Sequence, residues 1–376
     1  MVATQKDPLA YILAVAVLHI AALYLLILSP LVVGGLISSL GASEGDVGLL
    51  ITLEILVAGL VSIFMSPITV RVPAHIIAMT AGVFILIGNY ISIDVQGLNA
   101  LYPWRALSGL GTGMLFAINN VVAARGKRPA VLFSIGWMSA YMFTAGFAIL
   151  MTSVHEQLHH STVYLWLTIT MFVLFPFFLF LPKTTDKTQS IKIPKGTLLT
   201  GLMLMLSVAL VVSAMMAYYA FLERISMNIN GNTAHAGIIV AISQLGSMLG
   251  GGLAIPISIR YGIIRPLLIA IAIHAVIVAI ACSTDSIYVL GGVAFAEGIA
   301  FIMYTPLVYA LVAEVDRQGR WAAIAGGVFV LSTAIGPLFG GYLIETSGYS
   351  SVSVINIAVV IPAIILCVWV GRRVIK

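Results

Sequence analysis

The chain has 376 residues, of which 61% are hydrophobic and only 8% are charged. Soluble domains carry about 25% charged residues, so 18 basic and 13 acidic side chains cannot cover the surface of a soluble fold of this length. The composition excludes a water-soluble enzyme, a nucleic-acid-binding domain and a disordered chain. It predicts an all-α integral membrane protein with short loops, surrounded by the lipid bilayer.

Apolar runs divide the sequence into twelve candidate membrane spans. About 20 apolar residues cross a bilayer, so twelve spans occupy about 240 residues and leave room for short connections only. The first run is long enough to tilt in the membrane or to extend beyond the hydrocarbon. Numbered 1 to 12 in chain order, the spans cover 9–40, 47–69, 75–93, 101–124, 129–152, 161–182, 197–222, 236–258, 264–282, 287–312, 321–345 and 350–371.

The chain divides into two similar halves. Its longest polar stretch between spans, 183–196, contains four lysines and predicts a cytoplasmic linker between a six-helix bundle over 1–182 and a second over 197–376. An internal repeat supports this division, because bundles that repeat in the same orientation are related by an axis along the membrane normal. At a constant offset of 189 residues, Gly48 recurs as Gly237, Pro67 as Pro256, Arg71 as Arg260, Gly109 as Gly298 and Thr144-Ala145 as Thr333-Ala334.

Basic residues indicate the orientation of the chain. Of the 18 basic residues, 16 fall on the side of the membrane that carries both termini, while Arg224 lies on the other side and Arg105 lies within span 4. Short cytoplasmic loops carry the excess of lysine and arginine in membrane proteins. The pattern predicts that both termini are cytoplasmic.

Span 4 carries the most specific motif, Arg105-Ala-Leu-Ser-Gly109-Leu-Gly111-Thr-Gly113. Its alternate glycines predict that neighbouring backbones approach this helix closely. The segment resembles the Arg-x-x-x-Gly-x-Gly-x-Gly signature of the major facilitator superfamily, and the parallel halves are the symmetry of that fold. The resemblance covers essentially the whole chain. It implies a small, bacterial-type secondary transporter of twelve helices in two pseudo-symmetric bundles, in the cytoplasmic (inner) membrane.

Two other family patterns are altered in this chain. Where the family usually carries Gly-x-x-x-Asp-Arg-x-Gly-Arg after span 2, Arg71 follows Val70, and the second copy has Ile259 before Arg260. Both aspartates are therefore missing from the cytoplasmic charge network that the family uses. Span 11 carries Gly336-Pro337, similar to the pattern that many family antiporters carry in span 5. The corresponding segment of span 5, Phe147-Ala148, lacks this pattern, so the motif alone does not assign an antiporter.

Three charged side chains fall within spans at a similar depth: Glu54, Arg105 and Glu297. An unpaired charge in hydrocarbon costs about 2.5–3.5 kcal/mol on insertion scales, so such residues are usually functional or paired. We expect these residues to mediate proton coupling, with at least one carboxylate carrying a proton or meeting a cationic solute. The alternative is a static pair between Glu54 and Arg105. His274 on span 9 is interpreted as a packing residue, since span 9 flanks the pore in this family.

Polar and aromatic side chains at mid-depth are candidates for a binding pocket. A pocket of aromatic faces with a few polar groups suits a small amphipathic solute, and a cation gains further from the aromatic faces. For the tyrosines, the alternative is an interfacial anchor or an ordinary interhelical hydrogen bond. The candidate set is Tyr24, Asn119, Asn120, Trp137, Tyr141, Tyr218, Tyr219, Gln244 and Tyr304.

Two further patterns concern metals and the energy source. His155-Glu156-Gln-Leu-His159 matches the His-Glu-x-x-His pattern of zinc proteases, but its short loop supplies no third ligand apart from the adjacent His160. We interpret it as a polar loop and expect no metal site, no cofactor and no catalytic residues.

The sequence contains no nucleotide-binding Gly-x-x-x-x-Gly-Lys-Ser/Thr motif, so the transport energy is expected to come from an ion or solute gradient.

The sequence thus predicts a monomeric, proton-coupled secondary transporter that works by alternating access. Its solute is expected to be a small amphipathic or cationic organic molecule, with efflux favoured, because the intramembrane charges and aromatic residues suit such a ligand. The alternative within transport is an organic anion or nutrient held by Arg105. A third possibility is a non-transporting membrane sensor or scaffold.

Overall fold

The computed structural model describes residues 8–69, 71–125, 129–154, 158–181, 197–315 and 320–374. Every regular element in these ranges is helical, and the predicted linker at 183–196 lies outside them. The α-helices are α1 (Leu9–Ile27), α2 (Ser29–Leu40), α3 (Glu44–Phe64), α4 (Ser66–Thr69), α5 (Ala74–Ile91), α6 (Tyr102–Arg125), α7 (Pro129–Val154), α8 (His160–Leu174), α9 (Leu198–Tyr219), α10 (Leu222–Asn230), α11 (Thr233–Tyr261), α12 (Ile264–Ala281), α13 (Ile287–Val315), α14 (Arg320–Ser347) and α15 (Ser350–Val374). Short 3-10 helices cover Leu98–Leu101 and Phe175–Phe180.

Within the described ranges, twelve helical stretches are long and apolar enough to cross a membrane. The predicted number of spans and the all-α membrane fold are therefore confirmed. Below, the N-terminal half means 8–181 and the C-terminal half means 197–374. The Leu9 end is the end of the bundle where α1 begins, and the Gly41 end is the opposite end, where α2 is followed by α3.

Span 1 differs from its prediction as one continuous run over 9–40. The helix is broken at Leu28, whose φ of −87° and ψ of 5° lie outside the α-helical range. Pro30 explains the break, because proline has no N–H to bond to the carbonyl four residues earlier, which here belongs to Leu26. Span 7 is also interrupted after Tyr219, where Phe221 has φ −107° and ψ 11° without a nearby proline. The helix α10 then extends to Asn230, beyond the predicted end at 222.

The alternate glycines of α6 bring neighbouring backbones together, as predicted. A Cβ atom on Gly109 would collide with the carbonyl of Glu54 on α3, and one on Gly111 would collide with the carbonyl of Ala81 on α5. The repeat reproduces the first contact, because a Cβ atom on Gly298 would collide with the carbonyl of Ser243. Gly298 and Ser243 lie 189 positions after Gly109 and Glu54, respectively.

The two halves meet along two helix pairs, α3 with α14 and α7 with α11. Small residues allow the close approach: Gly48 lies against the carbonyl of Pro337, and Gly237 lies against the side chain of Thr152. At the Gly41 end, polar contacts add to this packing. Glu345 of α14 accepts hydrogen bonds from Ser43 Oγ and from the backbone N–H of Gly45, both at 3.1 Å.

Candidate functional site

A cavity lies between the two halves near the break in α1. Its volume is about 30 Å³, which is room for about one water molecule. An organic solute therefore requires the halves to separate further. Its walls come from α1, α7, α9, α11, α13 and α14, through Leu26, Ile27, Trp137, Tyr141, Met215, Met216, Tyr219, Ser243, Ser247, Glu297, Gly298, Phe301 and Phe329.

Aromatic rings form much of the wall. Trp137 and Tyr141 stack with their ring centroids 5.8 Å apart, one turn from each other on α7. Phe301 and Phe329 pack with centroids 6.4 Å apart. The hydroxyl of Tyr219 donates a 2.6 Å hydrogen bond to the carbonyl of Ile27 at the break in α1, so it joins the two halves at this depth.

Glu297 contributes a carboxyl group to the wall of this cavity, and it is 2% exposed. Behind it, Glu297 Oε2 lies 2.8 Å from Nδ1 of His274 on α12. The other ring nitrogen of His274, Nε2, lies 2.9 Å from Oδ1 of Asn356 on α15. Asn356 in turn donates from Nδ2 to the carbonyl of Ala214 on α9 at 2.8 Å.

These contacts define where a proton is held. Because the Ala214 carbonyl only accepts, it fixes the Asn356 amide with its oxygen towards His274, so Nε2 must carry a hydrogen. If His274 is then neutral, its Nδ1 has only a lone pair to offer. The 2.8 Å contact with Glu297 consequently needs one more proton, either on Nδ1 or on the carboxyl group. In this geometry, His274 and Glu297 share one additional proton.

A second buried ion pair lies in the N-terminal half. Arg105 NH1 lies 3.3 Å from Glu54 Oε1 and 3.0 Å from Asn89 Oδ1, and both atoms accept hydrogen bonds from it. Its NH2 donates to the carbonyl of Gly88 and to Ser92 Oγ. The guanidinium also lies over the ring of Tyr164, 4.3 Å from the centroid. Arg105 is fully buried and lies behind Glu54.

Glu54 also borders a second cavity of about 30 Å³ between the halves. Its other walls come from α1, α2, α3, α6 and α14, through Ala22, Leu25, Leu26, Ser29, Val32, Ile51, Ile55, Ala58, Thr112, Phe116, Val330 and Thr333. Each of the two cavities between the halves thus presents one buried carboxylate, and Leu26 lines both.

A family model described as "Major Facilitator Superfamily" matches residues 219–375, which is most of the C-terminal half. The whole chain also has the fold of this superfamily, as the solved structures below show. Residues 219–375 are thus similar to this superfamily, and the chain as a whole shares its fold with the solved structures below.

Several solved transporter structures share the fold of this chain. The structure of a single-site mutant of the nucleoside transporter NupG aligns over 97% of this chain and 100% of its own, with a TM-score of 0.76 and 15% identity. Another structure of NupG covers 97% of this chain and 99% of its own, with a TM-score of 0.73 and 16% identity.

A bacterial homologue of the human lysosomal transporter Spinster, in an inward-facing and unoccupied conformation, covers 98% of this chain and 97% of its own, with a TM-score of 0.68 and 16% identity. At these identities the similarity extends to the fold alone. No curated protein sequence matches the chain.

Three of the nine candidate pocket residues meet in the Glu297 cavity: Trp137, Tyr141 and Tyr219. Tyr24 belongs instead to the Arg105 cluster, where its hydroxyl accepts from Asn89 Nδ2 at 3.0 Å. Asn120 has an exposed side chain. The remaining four are buried outside both cavities, with at least one side-chain polar atom that has no hydrogen-bond partner: Asn119, Tyr218, Gln244 and Tyr304.

Sequence reasoning assigned His274 to packing, whereas the structure joins it to Glu297 and Asn356. The signal was present, because all three are polar residues within spans, but their partnership depends on how α12, α13 and α15 pack. Leu26 and Met215 carried no such signal, since apolar residues occur throughout the sequence. The proposed polar loop at His155–His159 includes residues 155–157, which lie outside the described ranges.

Proposed function

We propose that this protein is a proton-coupled secondary active transporter that moves a small amphipathic or cationic organic solute by alternating access. One observation carries the proposal: Glu297 faces the cavity between the halves while its carboxylate lies 2.8 Å from His274. The residue that meets the solute is thus the residue that shares a proton.

Coupling follows from competition for Glu297. The His274–Glu297 contact requires one extra proton, so a cationic solute that approaches the carboxylate from the cavity favours release of that proton. A ligand shifts a conformational equilibrium only by its differential affinity for the two states. Because proton and solute are alternative partners of one carboxylate, exchange is the favoured mode, and we propose export against proton entry. One charge moved through 100 mV supplies about 2.3 kcal/mol.

The cavity wall supports an amphipathic solute. Trp137, Tyr141, Phe301 and Phe329 offer ring faces, and Ser243 and Ser247 add hydroxyl groups close to Glu297. A cationic group gains from both the carboxylate and the rings. A flat heteroaromatic ring also suits these faces, and a nucleoside transporter shares the fold, so nucleosides belong in the solute panel described below.

The proposed orientation rests on charge. The basic residues favour the Leu9 end as the cytoplasmic end, which puts both termini in the cytoplasm and the protein in a bacterial inner membrane. The N-terminal bundle (1–182), the linker (183–196) and the C-terminal bundle (197–376) remain the proposed division. A monomer suffices, because one chain encloses both cavities.

The alternative, an organic anion held by Arg105, receives less support from the geometry. The Arg105 guanidinium is fully buried, donates to Glu54, Asn89, Gly88 and Ser92, and lines neither cavity. An anion would have to replace these partners. A sensor or scaffold role has no comparable observation in its favour.

The test is solute-driven proton movement in proteoliposomes. Purified protein with an internal pH dye is challenged with organic amines, nucleosides and carboxylates at several pH values. We expect amines to drive proton flux in the native protein and Glu297→Gln to abolish it. Asp285→Asn, which removes an exposed carboxylate from a loop, is the matched control and should behave like the native protein.

Each other outcome has a definite meaning. Native pH-dependent flux in Glu297→Gln would refute the coupling role of this residue. Flux driven by carboxylates and lost in Arg105→Lys would favour the anion alternative. Absence of flux for every class of solute would favour the sensor or scaffold.

A further inference from the structure

The two cavities between the halves are copies of one site. Residues that line the Glu54 cavity correspond, at the repeat offset of 189, to residues that line the Glu297 cavity. Five such pairs occur: Leu26 with Met215, Glu54 with Ser243, Ala58 with Ser247, Thr112 with Phe301, and Val330 with Tyr141. The repeat thus relates the two pockets: α14 of the C-terminal half completes the Glu54 pocket, and α1 and α7 of the N-terminal half complete the Glu297 pocket.

The two pockets differ in charge. Glu54 has a permanent cationic partner, because Arg105 NH1 lies 3.3 Å from its carboxylate, so the pair as a whole is neutral. Glu297 has only a histidine partner, which is charged only when it is protonated. A cationic group is thus attracted to the Glu297 pocket, whereas the Glu54 pocket suits a neutral group.

The Glu54 pocket also offers an unused hydrogen-bonding group. Ser29 lines the cavity and is 2% exposed, and its hydroxyl has no hydrogen-bond partner in the structure. Unsatisfied polar groups of this kind are uncommon in folded proteins and destabilise them. A solute hydroxyl or amide in the pocket would satisfy it, while the apolar walls would hold the adjoining carbon chain.

Leu26 separates the pockets. It lines both cavities, and it packs against all three apolar clusters of the protein. Its position at the end of α1 follows from the break that Pro30 imposes, which brings Leu26 and Ser29 to either side of the break. The side chain of Leu26 is thus the shared wall.

We propose that the two pockets are subsites of one transport site, with Leu26 setting the length of the solute. The solute class is an elongated amphipathic amine: its cationic group binds at Glu297, and a neutral hydroxyl or amide at its other end binds at Ser29 beside Glu54. This proposal rests on the proposed function above. It adds the second subsite and the residue that determines specificity.

The first experiment measures affinity for two series of probes, n-alkylamines and the amino alcohols with a terminal hydroxyl, at increasing chain length. Binding is followed by thermal shift of the purified protein and by competition in the proteoliposome assay. At the best chain length, we expect the hydroxyl to improve affinity about threefold to tenfold in the native protein. Ser29→Ala should abolish this difference while leaving the affinity for simple alkylamines unchanged.

The second experiment changes the wall. Leu26→Ala joins the pockets and should move the optimum to longer amino alcohols, whereas Leu26→Phe should confine binding to short ones. Met215→Ala is the matched control, because Met215 is the repeat equivalent of Leu26 but lines only the Glu297 cavity. It should leave the effect of the terminal hydroxyl intact. Ser29→Ala removes only a hydroxyl oxygen that has no hydrogen-bond partner, so we expect this variant to fold. It therefore still tests the second subsite if the Leu26 variants fold poorly.

The outcomes separate this proposal from the proposed function. If amines bind in a Glu297-dependent manner but Ser29→Ala retains the hydroxyl preference, the second subsite is refuted and the transporter proposal stands. The same holds if the length optimum is unchanged in folded Leu26 variants. If no amine binds at all, both proposals fail.

Discussion

His274 Nδ1 lies 2.8 Å from Glu297 Oε2, and the far side of the same ring faces an amide whose orientation is fixed by a backbone carbonyl. Asn356 thus selects the tautomer of His274, which makes an extra proton necessary for the contact with Glu297. Asn356 is a positioning residue in this arrangement, since it acts on the proton site through the imidazole.

Asn356→Ala tests this relationship. It leaves the buried Nε2 of His274 without its partner, which costs about 1–3 kcal/mol, and it frees the ring to take the other tautomer. We expect a lower Tm in detergent and a flatter pH dependence of solute binding. Val354→Ala, at a lipid-exposed position on the same helix, is the control for Tm and should change neither property. An unchanged pH profile in a folded Asn356→Ala protein would contradict the positioning role.

The Glu54–Arg105 pair leads to a prediction about stability. Both side chains are buried, and removing one partner of such a pair costs about 3–5 kcal/mol because the other charge is left uncompensated. We expect Arg105→Met to lower the Tm strongly and the double variant Glu54→Gln/Arg105→Met to recover part of the loss. A double variant less stable than Arg105→Met would mean that Glu54 is held by other partners.

Substitutions of the equivalent glycines Gly109 and Gly298 are expected to destabilise the protein, whereas substitution of the unconfined Gly252 is expected to stabilise it. In Gly109→Ala and Gly298→Ala, the new methyl group meets a backbone carbonyl that cannot move aside, which costs about 1–3 kcal/mol. Gly252 of α11 has open space around its Cβ position, so Gly252→Ala should stabilise the helix by about 0.5–1 kcal/mol. Thermal unfolding in detergent measures all three. Similar shifts for Gly109→Ala and Gly252→Ala would contradict the close packing of α6 on α3.

The features that the sequence predicts best are those that depend only on the order of residues along the chain. Twelve spans follow from hydropathy, and the close approach at Gly109 follows from the spacing of glycines. The repeat offset was found from identities such as Gly109 with Gly298, and it reappears in the packing, where both glycines contact the corresponding carbonyls.

Other features depend on how distant segments pack. His274 and Asn356 are 82 residues apart, and nothing in the local sequence of either indicates the other. Ser29 is one hydroxyl residue among many, and its significance arises from burial without a partner. The break at Leu28 was predictable in principle from Pro30, but a hydropathy average over 9–40 conceals a single residue that lacks an N–H donor.

Cys282, beyond the end of α12, leads to a prediction about chemical labelling. Burial raises the pKa of its thiol from 9.0 to about 11. The thiolate is the reactive form, and two pH units reduce it about 100-fold at neutral pH. We expect maleimide labelling of Cys282 to be correspondingly slow at pH 7 and to rise about tenfold per pH unit below pH 11. A Cys282→Ser variant identifies the signal, and fast labelling at pH 7 would contradict the raised pKa.

Because Cys282 is expected to react slowly at pH 7, the labelling rate of an introduced cysteine can report how tightly the Gly41 end is closed. There, Arg224 NH2 donates to Ser38 Oγ at 2.7 Å, which links α10 to α2 across the halves. Within α10, Arg224 NE donates to the neighbouring Glu223 at 2.9 Å. Gly34 accommodates the Glu223 carboxylate, since a Cβ atom there would collide with it. Glu345 provides a second link by accepting from the backbone N–H of Gly45, in the first turn of α3.

If these links hold the Gly41 end closed, removing either should open it. Leu31 is fully buried and lies one turn before Gly34 on α2, so Leu31→Cys is a suitable reporter. Arg224→Ala and Glu345→Ala are each expected to speed its labelling by a membrane-impermeant maleimide several-fold. The matched control is Asp94→Ala, which removes an exposed acidic side chain from another loop and should leave the rate unchanged. Equal rates in all variants would show that packing of α3 on α14 alone closes this end, because the polar links would then contribute nothing to the equilibrium between closed and open states.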